Sequence, residues 1–305
     1  MLNYALRRMA LALLVALTVS VIGFFLIRLS GDLARTLAGP NATAEQIANI
    51  SRAYGLDRPL VVQFLDWLFK FLGGDFGQSF YFRSPVADLV IARLPNTLIL
   101  GVSALAVALL VAVPLGMAAA ARQGGWTDRF AQLVAALGQS MPNFWVALLL
   151  MMFLGLELGL LPISGSRSVS AFVMPVLALA FAAQPALLRL TRAGMIEVLE
   201  ADYMRTARAK SLSPAKLLFK HALRNAVLPV VSVSAVQLGH LIGGSVVIES
   251  IFAIEGIGYL AWESILRTDF PVVQAILVVI AFFYVLLSLG ADLLNALLDP
   301  RIRGN

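Results

Sequence analysis

ATP or GTP hydrolysis needs a phosphate cradle, which in a sequence reads as a glycine-rich loop ending in Gly-Lys-Ser/Thr, because bare backbone amides and an ammonium hold the phosphates. The lysines of this chain are Lys70, Lys210, Lys216 and Lys220, and none follows a glycine. A zinc protease would carry His-Glu-x-x-His and an intramembrane serine protease Gly-x-Ser-Gly; neither occurs. The histidines are His221 and His240, far apart, and cysteine is absent, so an imidazole or thiolate metal site is not expected. Catalysis by this chain is therefore the weaker class of reading, and an enzyme acting on an unrecognised lipid is the most distant one. We expect no cofactor and no metal on this chain.

The polar residues that stand out lie inside apolar runs. Ser234, Gln237 and His240 fall near one face of a helix that continues into Gly243 and Gly244. Polar groups at membrane depth face protein or a water-filled cavity. Two readings stay open with equal weight: a stripe lining a pathway, or hydrogen bonding between helices brought close by the glycines. Gln139 with Pro142, and Gln184 with Pro185, carry the same pair of readings. Arg189 and Arg192 read as anchors at a cytoplasmic helix end, and Glu157 and Glu249 as solvated helix ends near the outer surface.

The elements that hold these residues are set by composition. Of 305 residues, 60% are apolar and 13% charged, with a mean hydropathy of +0.88. The apolar residues gather in long blocks, so lipid is the solvent for much of the chain. A net charge of +6 and a pI near 10.0 would suit a nucleic-acid binder, but the basic residues lie between the apolar blocks, as in membrane proteins. Nucleic acid is set aside as a partner. A span needs about 20 apolar residues, and the candidates are Met9–Leu29, Thr97–Ala121, Ala131–Leu156, Phe172–Leu190, Pro229–Ile251 and Val272–Leu294. The first is too long for a signal-peptide core and reads as a retained helix. An even number of crossings puts both termini on one side. Arg7, Arg8, Arg122, Arg129, Arg189, Arg192, Arg205, Arg208, Lys210, Lys216, Lys220, Arg224, Arg301 and Arg303 fall on that side, while the two short opposite loops hold only Arg167 and Arg267. Both termini are expected in the cytoplasm.

Two segments between spans are long. In 30–95, Leu60, Phe64, Leu65, Trp67, Leu68, Phe71 and Leu72 give a helix an apolar face with aromatic edges, bounded by Pro59 and by Gly73, Gly74 and Gly77. It would lie in the membrane interface or pack on the outer ends of the spans. The segment 194–228 concentrates charge and reads as two short amphipathic helices with a turn near Ser213 and Pro214, a docking surface on the cytoplasmic side.

In that segment, Asp202-Tyr203-Met204-Arg205-Thr206-Ala207-Arg208-Ala209-Lys210, then His221-Ala222-Leu223-Arg224-Asn225-Ala226 and Leu228-Pro229, resemble the cytoplasmic loop of ABC importer permeases. Gly31-Asp32, Gly55-Leu56-Asp57-Arg58-Pro59-Leu60, Gly74-Asp75-Phe76-Gly77-Gln78-Ser79, Arg93-Leu94-Pro95-Asn96-Thr97 and Gly256-Ile257-Gly258 follow the same pattern in order. The resemblance is to the dipeptide, oligopeptide, glutathione and nickel branch. Departures are Ser211 where the loop usually has glycine, Ser30 and Leu33 in place of flanking prolines, and Glu255 before Gly256. The resemblance implies an all-α polytopic membrane protein with about six transmembrane helices and the type I ABC importer permease fold. The whole of 1–305 would be one transmembrane domain, with 30–95 a long periplasmic segment and 194–228 the cytoplasmic coupling loop. It also implies a bacterial inner-membrane location and four kinds of partner: a second homologous permease, two ATP-binding subunits carrying ATP and Mg, a periplasmic solute-binding protein and membrane lipid. The ATPase-coupling helix then falls at about Arg205 to Lys216, with Arg205, Thr206, Ala207, Arg208, Ala209, Lys210, Ser211 and Lys216 as coupling residues. Ala207 and Ala209, the smallest of them, are expected at the ATPase contact. The expected function is import of peptides or similar small solutes; the rival is an ion-coupled secondary transporter.

Overall fold

The computed structural model describes residues 2–30, 33–39, 41–210, 213 and 216–298; Gly31, Asp32, Ser211, Pro214, Arg301 and Arg303 lie outside the described residues. The helices are α1 (Leu2–Ser30), α2 (Leu33–Ala38), α3 (Ala44–Ala53), α4 (Leu60–Leu72), α5 (Val86–Ala121), α6 (Trp126–Ser140) and α7 (Asn143–Leu150, continued by π-helical Met151–Glu157). They are followed by α8 (Val169–Glu200), α9 (Asp202–Ala209), α10 (Leu223–Ala226, preceded by π-helical Leu217–Ala222), α11 (Leu228–Gly244), α12 (Val246–Ile251), α13 (Ile257–Leu266) and α14 (Phe270–Leu298). Among the described residues, helices α1, α5, α8 and α14 are each long and apolar enough to cross a bilayer, and two bent pairs, α6–α7 at 100° and α10–α11 at 56°, bring the total up to six if each pair is one span.

Helix directions follow from what touches what. An added Cβ on Gly116 of α5 would lie 2.9 Å from Leu188 O of α8, and Val107 and Ala108 share a small cleft with Leu177 and Ala180, so α5 and α8 run parallel. The connection must return across the membrane. It does so along α8: Asp128 meets Arg192 at one end, Gly138 faces Phe181 in the middle and Gly155 faces Met174 at the other. The bent α6–α7 pair is thus one broken span. The bent α10–α11 pair is antiparallel to α8 through Gly194 against Ala226 and Gln237 against Ala183. Helix α14 is antiparallel to α11 and to α1, where Arg8 pairs with Asp292 at 2.8 Å and Gly23 abuts Leu277. The start of α1 and the ends of α5, α8 and α14 therefore share one end of the bundle with α9.

Lipid offers no hydrophobic drive for helices to associate, so small residues that admit close backbones do the packing. Ala104, Ala108, Ala112 and Gly116, four apart along α5, are buried against α8. Three expected boundaries move. Helix α5 begins at Val86, because Pro95 is carried inside it, as is Pro114; a membrane helix tolerates proline where neighbours satisfy the freed carbonyl. Helix α8 runs from Val169 to Glu200 over Pro175 and Pro185, so residues 194–200 extend the fourth span rather than belonging to a loop. The third span, read as straight from Ala131 to Leu156, breaks at Met141, whose extended backbone (φ −92°, ψ 125°) is what a following proline imposes.

Candidate functional site

At the end shared by the termini, Ala201 is extended (ψ 148°) and breaks the chain out of α8 into α9, whose first turn carries Asp202 and whose last carries Arg208, charges suited to the helix dipole. The helix is shorter and earlier than the expected Arg205–Lys216: it ends at Ala209, and Lys216 belongs to the next helical stretch. One side of α9 is buried in a cluster of Met195, Met204, Ala207, Leu217, Ala222 and Ala226, joined by Met117 and Ala120 at the end of α5. Arg208 Nη2 donates to Leu199 O at 2.9 Å, and Asn225 Nδ2 donates to Tyr203 Oη at 2.9 Å. Gly194 lets α10 approach so closely that an added Cβ would sit 2.9 Å from Ala226 O. The result is a joint that ties α9 to the ends of α5, α8 and α10. Ala207, 9% exposed, turns into this joint, so its small size serves the chain's own packing rather than an outside contact. Arg205, Thr206, Arg208, Ala209 and Lys210 line the outward side, with Lys216 also exposed. Arg205 reaches Asp202 at 3.5 Å, an exposed pair that adds little.

Beside the joint, Arg192 Nε and Nη2 donate to Asp128 at 2.6 and 2.8 Å, and Gly124 N donates to the same carboxylate at 2.8 Å. This bidentate pair clamps α6 to α8. Arg192 therefore does more than anchor topology, while Arg189 donates to the exposed Gln139.

The polar residues proposed from sequence do not gather on one surface. Gln184 is buried, with Oε1 unpaired among the described residues. Ser234 is buried and donates to Val230 O of its own helix at 2.7 Å. Gln237 Nε2 donates to Ala183 O at 3.3 Å, beside Gln184. His240 is exposed and lies edge-on to Tyr284 of α14. Gln237 is thus held against the backbone of α8, Gln184 lines a cleft with Val107, Val111 and Val134 of α5 and α6, and His240 is with neither.

The opposite end holds a network the sequence reading missed. Glu249, expected as a solvated helix end, is fully buried. Its Oε1 accepts from Thr97 Oγ1 (2.9 Å) and Ser245 Oγ (2.7 Å), and its Oε2 from Tyr259 N (2.8 Å). Thr97 Oγ1 in turn accepts from Ile257 N at 2.8 Å, so the first turn of α13, whose amides have no partner within the helix, is capped by α5 and α12. Only glycine fits here: a Cβ on Gly256 would lie 2.4 Å from Glu249 Oε2, and one on Gly258 would lie 2.7 Å from Val246 Cα. Nearby, buried Asp269 accepts from Ser79 Oγ and from the amides of Phe80 (3.1 Å) and Tyr81 (3.2 Å), pinning the outer segment to the start of α14. The signal lay in the resemblance itself, since Arg93–Thr97, Gly256–Gly258 and Gly74–Ser79 contain the partners.

Among the described residues, a bundle of up to six crossings, four continuous and two broken, with a short helix wedged at one end and a long structured segment at the other, is that of a transport permease. Residues 112–304 match the model of the binding-protein-dependent transport system inner membrane component, and residues 1–101 match the N-terminal model of the same systems. This chain belongs to that family: it is a permease subunit of an ABC importer, a multi-pass inner-membrane protein. It is 40% identical over 304 residues to the glutathione transport system permease protein GsiC of Salmonella typhimurium LT2, covering 99% of each chain. It is 39% identical to the probable peptide ABC transporter permease protein y4tP of Sinorhizobium fredii, covering 98% of this chain and 99% of that one. The fold resembles the inward-facing MetNI methionine ABC transporter, with a TM-score of 0.60 at 17% identity over 69% of this chain and 96% of the other. The family supports the importer and not the ion-coupled secondary transporter.

Proposed function

We propose that this chain imports short peptides of about the size of glutathione, received from a periplasmic solute-binding protein, as one of two homologous permeases served by two ATP-binding subunits. The names of its full-length relatives support the substrate class. Both termini and α9 face the cytoplasm, in keeping with the basic residues on that side, and ATP and Mg are held by the partner subunits.

One observation carries the coupling role: the buried joint makes α9 continuous in packing with α5, α8 and α10. Packed interfaces shift between discrete arrangements rather than deforming smoothly. A displacement applied by an ATPase to the outward side of α9 therefore moves the ends of three helices together, α11 following α10. Nucleotide at one end and loaded binding protein at the other would bias the same two-state element, which is what reciprocal coupling requires. The pathway is assigned to Gln139, Gln184, Ser234, Gln237 and His240, with Gln184 favoured because it is buried, lines a small cleft between α5, α6 and α8, and has an oxygen unpaired among the described residues.

The test is reconstitution with co-purified partners, measuring glutathione uptake and ATP hydrolysis in the same vesicles. Arg205→Glu is expected to leave assembly of the membrane subunits intact while uptake falls well below what hydrolysis predicts. Unchanged uptake per ATP in that variant removes the outward side of α9 from the mechanism.

A further inference from the structure

A cavity of about 810 Å³ opens at the end of the bundle away from α9, walled by the end of α1, by α2, α3 and α4, by residues 75–83 and by the start of α14. Among the described residues its wall carries Arg28, Arg52, Arg58, Lys70 and Arg83 against Asp66 and Asp75. Both acids are already engaged: Asp66 by Arg58 at 3.1 Å, and Asp75 by the amide of Gly77 at 2.9 Å. Arg52 is turned to Asn49 and Ala48. Among the described residues the half-buried Arg28 has only neutral company: its Nε donates to Gln63 Oε1 at 2.9 Å, and its guanidinium lies 4.5 Å from the centroid of the Phe24 ring. Lys70 and Arg83 form no ion pair among the described residues. Gln274, only 4% exposed, also lines the cavity, and its Nε2 makes no hydrogen bond among the described residues.

A cation drawn out of water without a counter-charge is costly, and a concave wall with an excess of one sign concentrates the opposite sign within it. One buried donor without an acceptor, on Gln274, and three cations without an ion-pair partner among the described residues, Arg28, Lys70 and Arg83, thus converge on one space. We propose that this cavity binds a ligand bearing a carboxylate or phosphate, with Arg28 as the anchoring charge, Lys70 and Arg83 at the rim, and the Gln274 amide as a further donor. At roughly 800 Å³ the space is in the range of small-molecule sites, about 300–1,000 Å³, so the anion is one end of a headgroup-sized or short-peptide-sized ligand rather than a lone ion. The oxyanion has two sources. A phospholipid is close, since Ile22, Leu26 and Leu29 of α1 and Val61, Leu65 and Phe69 of α4 expose apolar side chains around the same end; a soluble solute carboxylate is the other.

The test uses the full chain in lipid nanodiscs and reads binding, so it does not depend on transport or on the coupling role. One arm counts phosphatidylglycerol retained by the protein, by native mass spectrometry after release from mixed phosphatidylcholine and phosphatidylglycerol discs. The other measures binding of radiolabelled glutarate to protein in phosphatidylcholine discs. We expect one of the probes to bind, and Arg28→Gln to weaken it about tenfold, the scale of one charge-assisted hydrogen bond. The exposed Lys70→Gln and Arg83→Gln variants disturb no buried contact, and together they should weaken the same probe by about the same factor. Retained phosphatidylglycerol identifies a lipid headgroup, and bound glutarate a soluble ligand. No binding of either probe overturns the proposal. So does binding equal in wild type and in the Lys70→Gln, Arg83→Gln double variant, which also decides the matter if Arg28→Gln fails to fold.

Discussion

Replacing Glu249 by alanine should be among the most damaging single changes at the outer end of this protein. The side chain accepts three hydrogen bonds from Thr97, Ser245 and Tyr259, and all of it is out of contact with solvent. Each buried donor left without an acceptor costs about 1–3 kcal/mol. Thr97 keeps a role as acceptor for Ile257 N, and Ser245 Oγ also reaches Ile242 O at 3.2 Å, so part of the loss is recovered. The donors of Thr97 and Tyr259 are left without an acceptor, which at that cost each gives a net destabilisation of about 2–6 kcal/mol. Glutamine keeps the shape and one acceptor oxygen but presents an amide to at least one donor, and Gly256 and Gly258 leave no room to turn aside; about 2 kcal/mol is expected. The assay is thermal unfolding of the purified full chain in mild detergent, followed by fluorescence-detected size exclusion. At about 2–4 °C per kcal/mol, the midpoint should drop by about 4–8 °C for Glu249→Gln and further for Glu249→Ala. A midpoint for Glu249→Ala within a degree or so of wild type would refute the account of this network.

Arg192→Met leaves the Asp128 carboxylate without its bidentate partner and should cost about 2–4 kcal/mol; in a double-mutant cycle with Asp128→Asn the effects should be strongly non-additive, and simple additivity would rule out a direct clamp. Gly116→Val places a Cβ 2.9 Å from Leu188 O and Thr191 Cβ and should cost about 1–3 kcal/mol through overpacking, seen as a lower unfolding midpoint; no loss means α5 and α8 are not in close contact there. Ala207→Asp buries a charge in the joint and should lower the midpoint of the isolated chain, whereas the exposed Ala209→Asp should leave it unchanged and act only when ATPase subunits are present. Equal midpoints for the two variants would contradict the orientation of α9.

Apolar run length is a local property, so the existence of the spans and the membrane setting were open to reading along the chain. Helix α4 was equally legible, because Pro59 and Gly73 bound it and its apolar spacing is helical; the structure then shows Phe64 packed on Phe24 and Phe25 while Val61 and Phe69 stay exposed. The family was carried by ordered motifs, and the matching family models agree with it. Directions and partners were not legible. That Pro95 sits inside a helix while Pro142 ends one depends on whether neighbouring helices satisfy the freed backbone. The face of α9 that carries Ala207 is set by the methionines of α8 and α9 that close over it, so small size alone could not distinguish an inward from an outward alanine. The stripe Ala104, Ala108, Ala112, Gly116 was present in the spacing, yet it becomes an interface only because α8 lies alongside. Glu249 shows the division most sharply: from sequence a carboxyl near a helix end belongs in water, and only the meeting of α5, α12 and α13 around it supplies the three donors that make burial affordable.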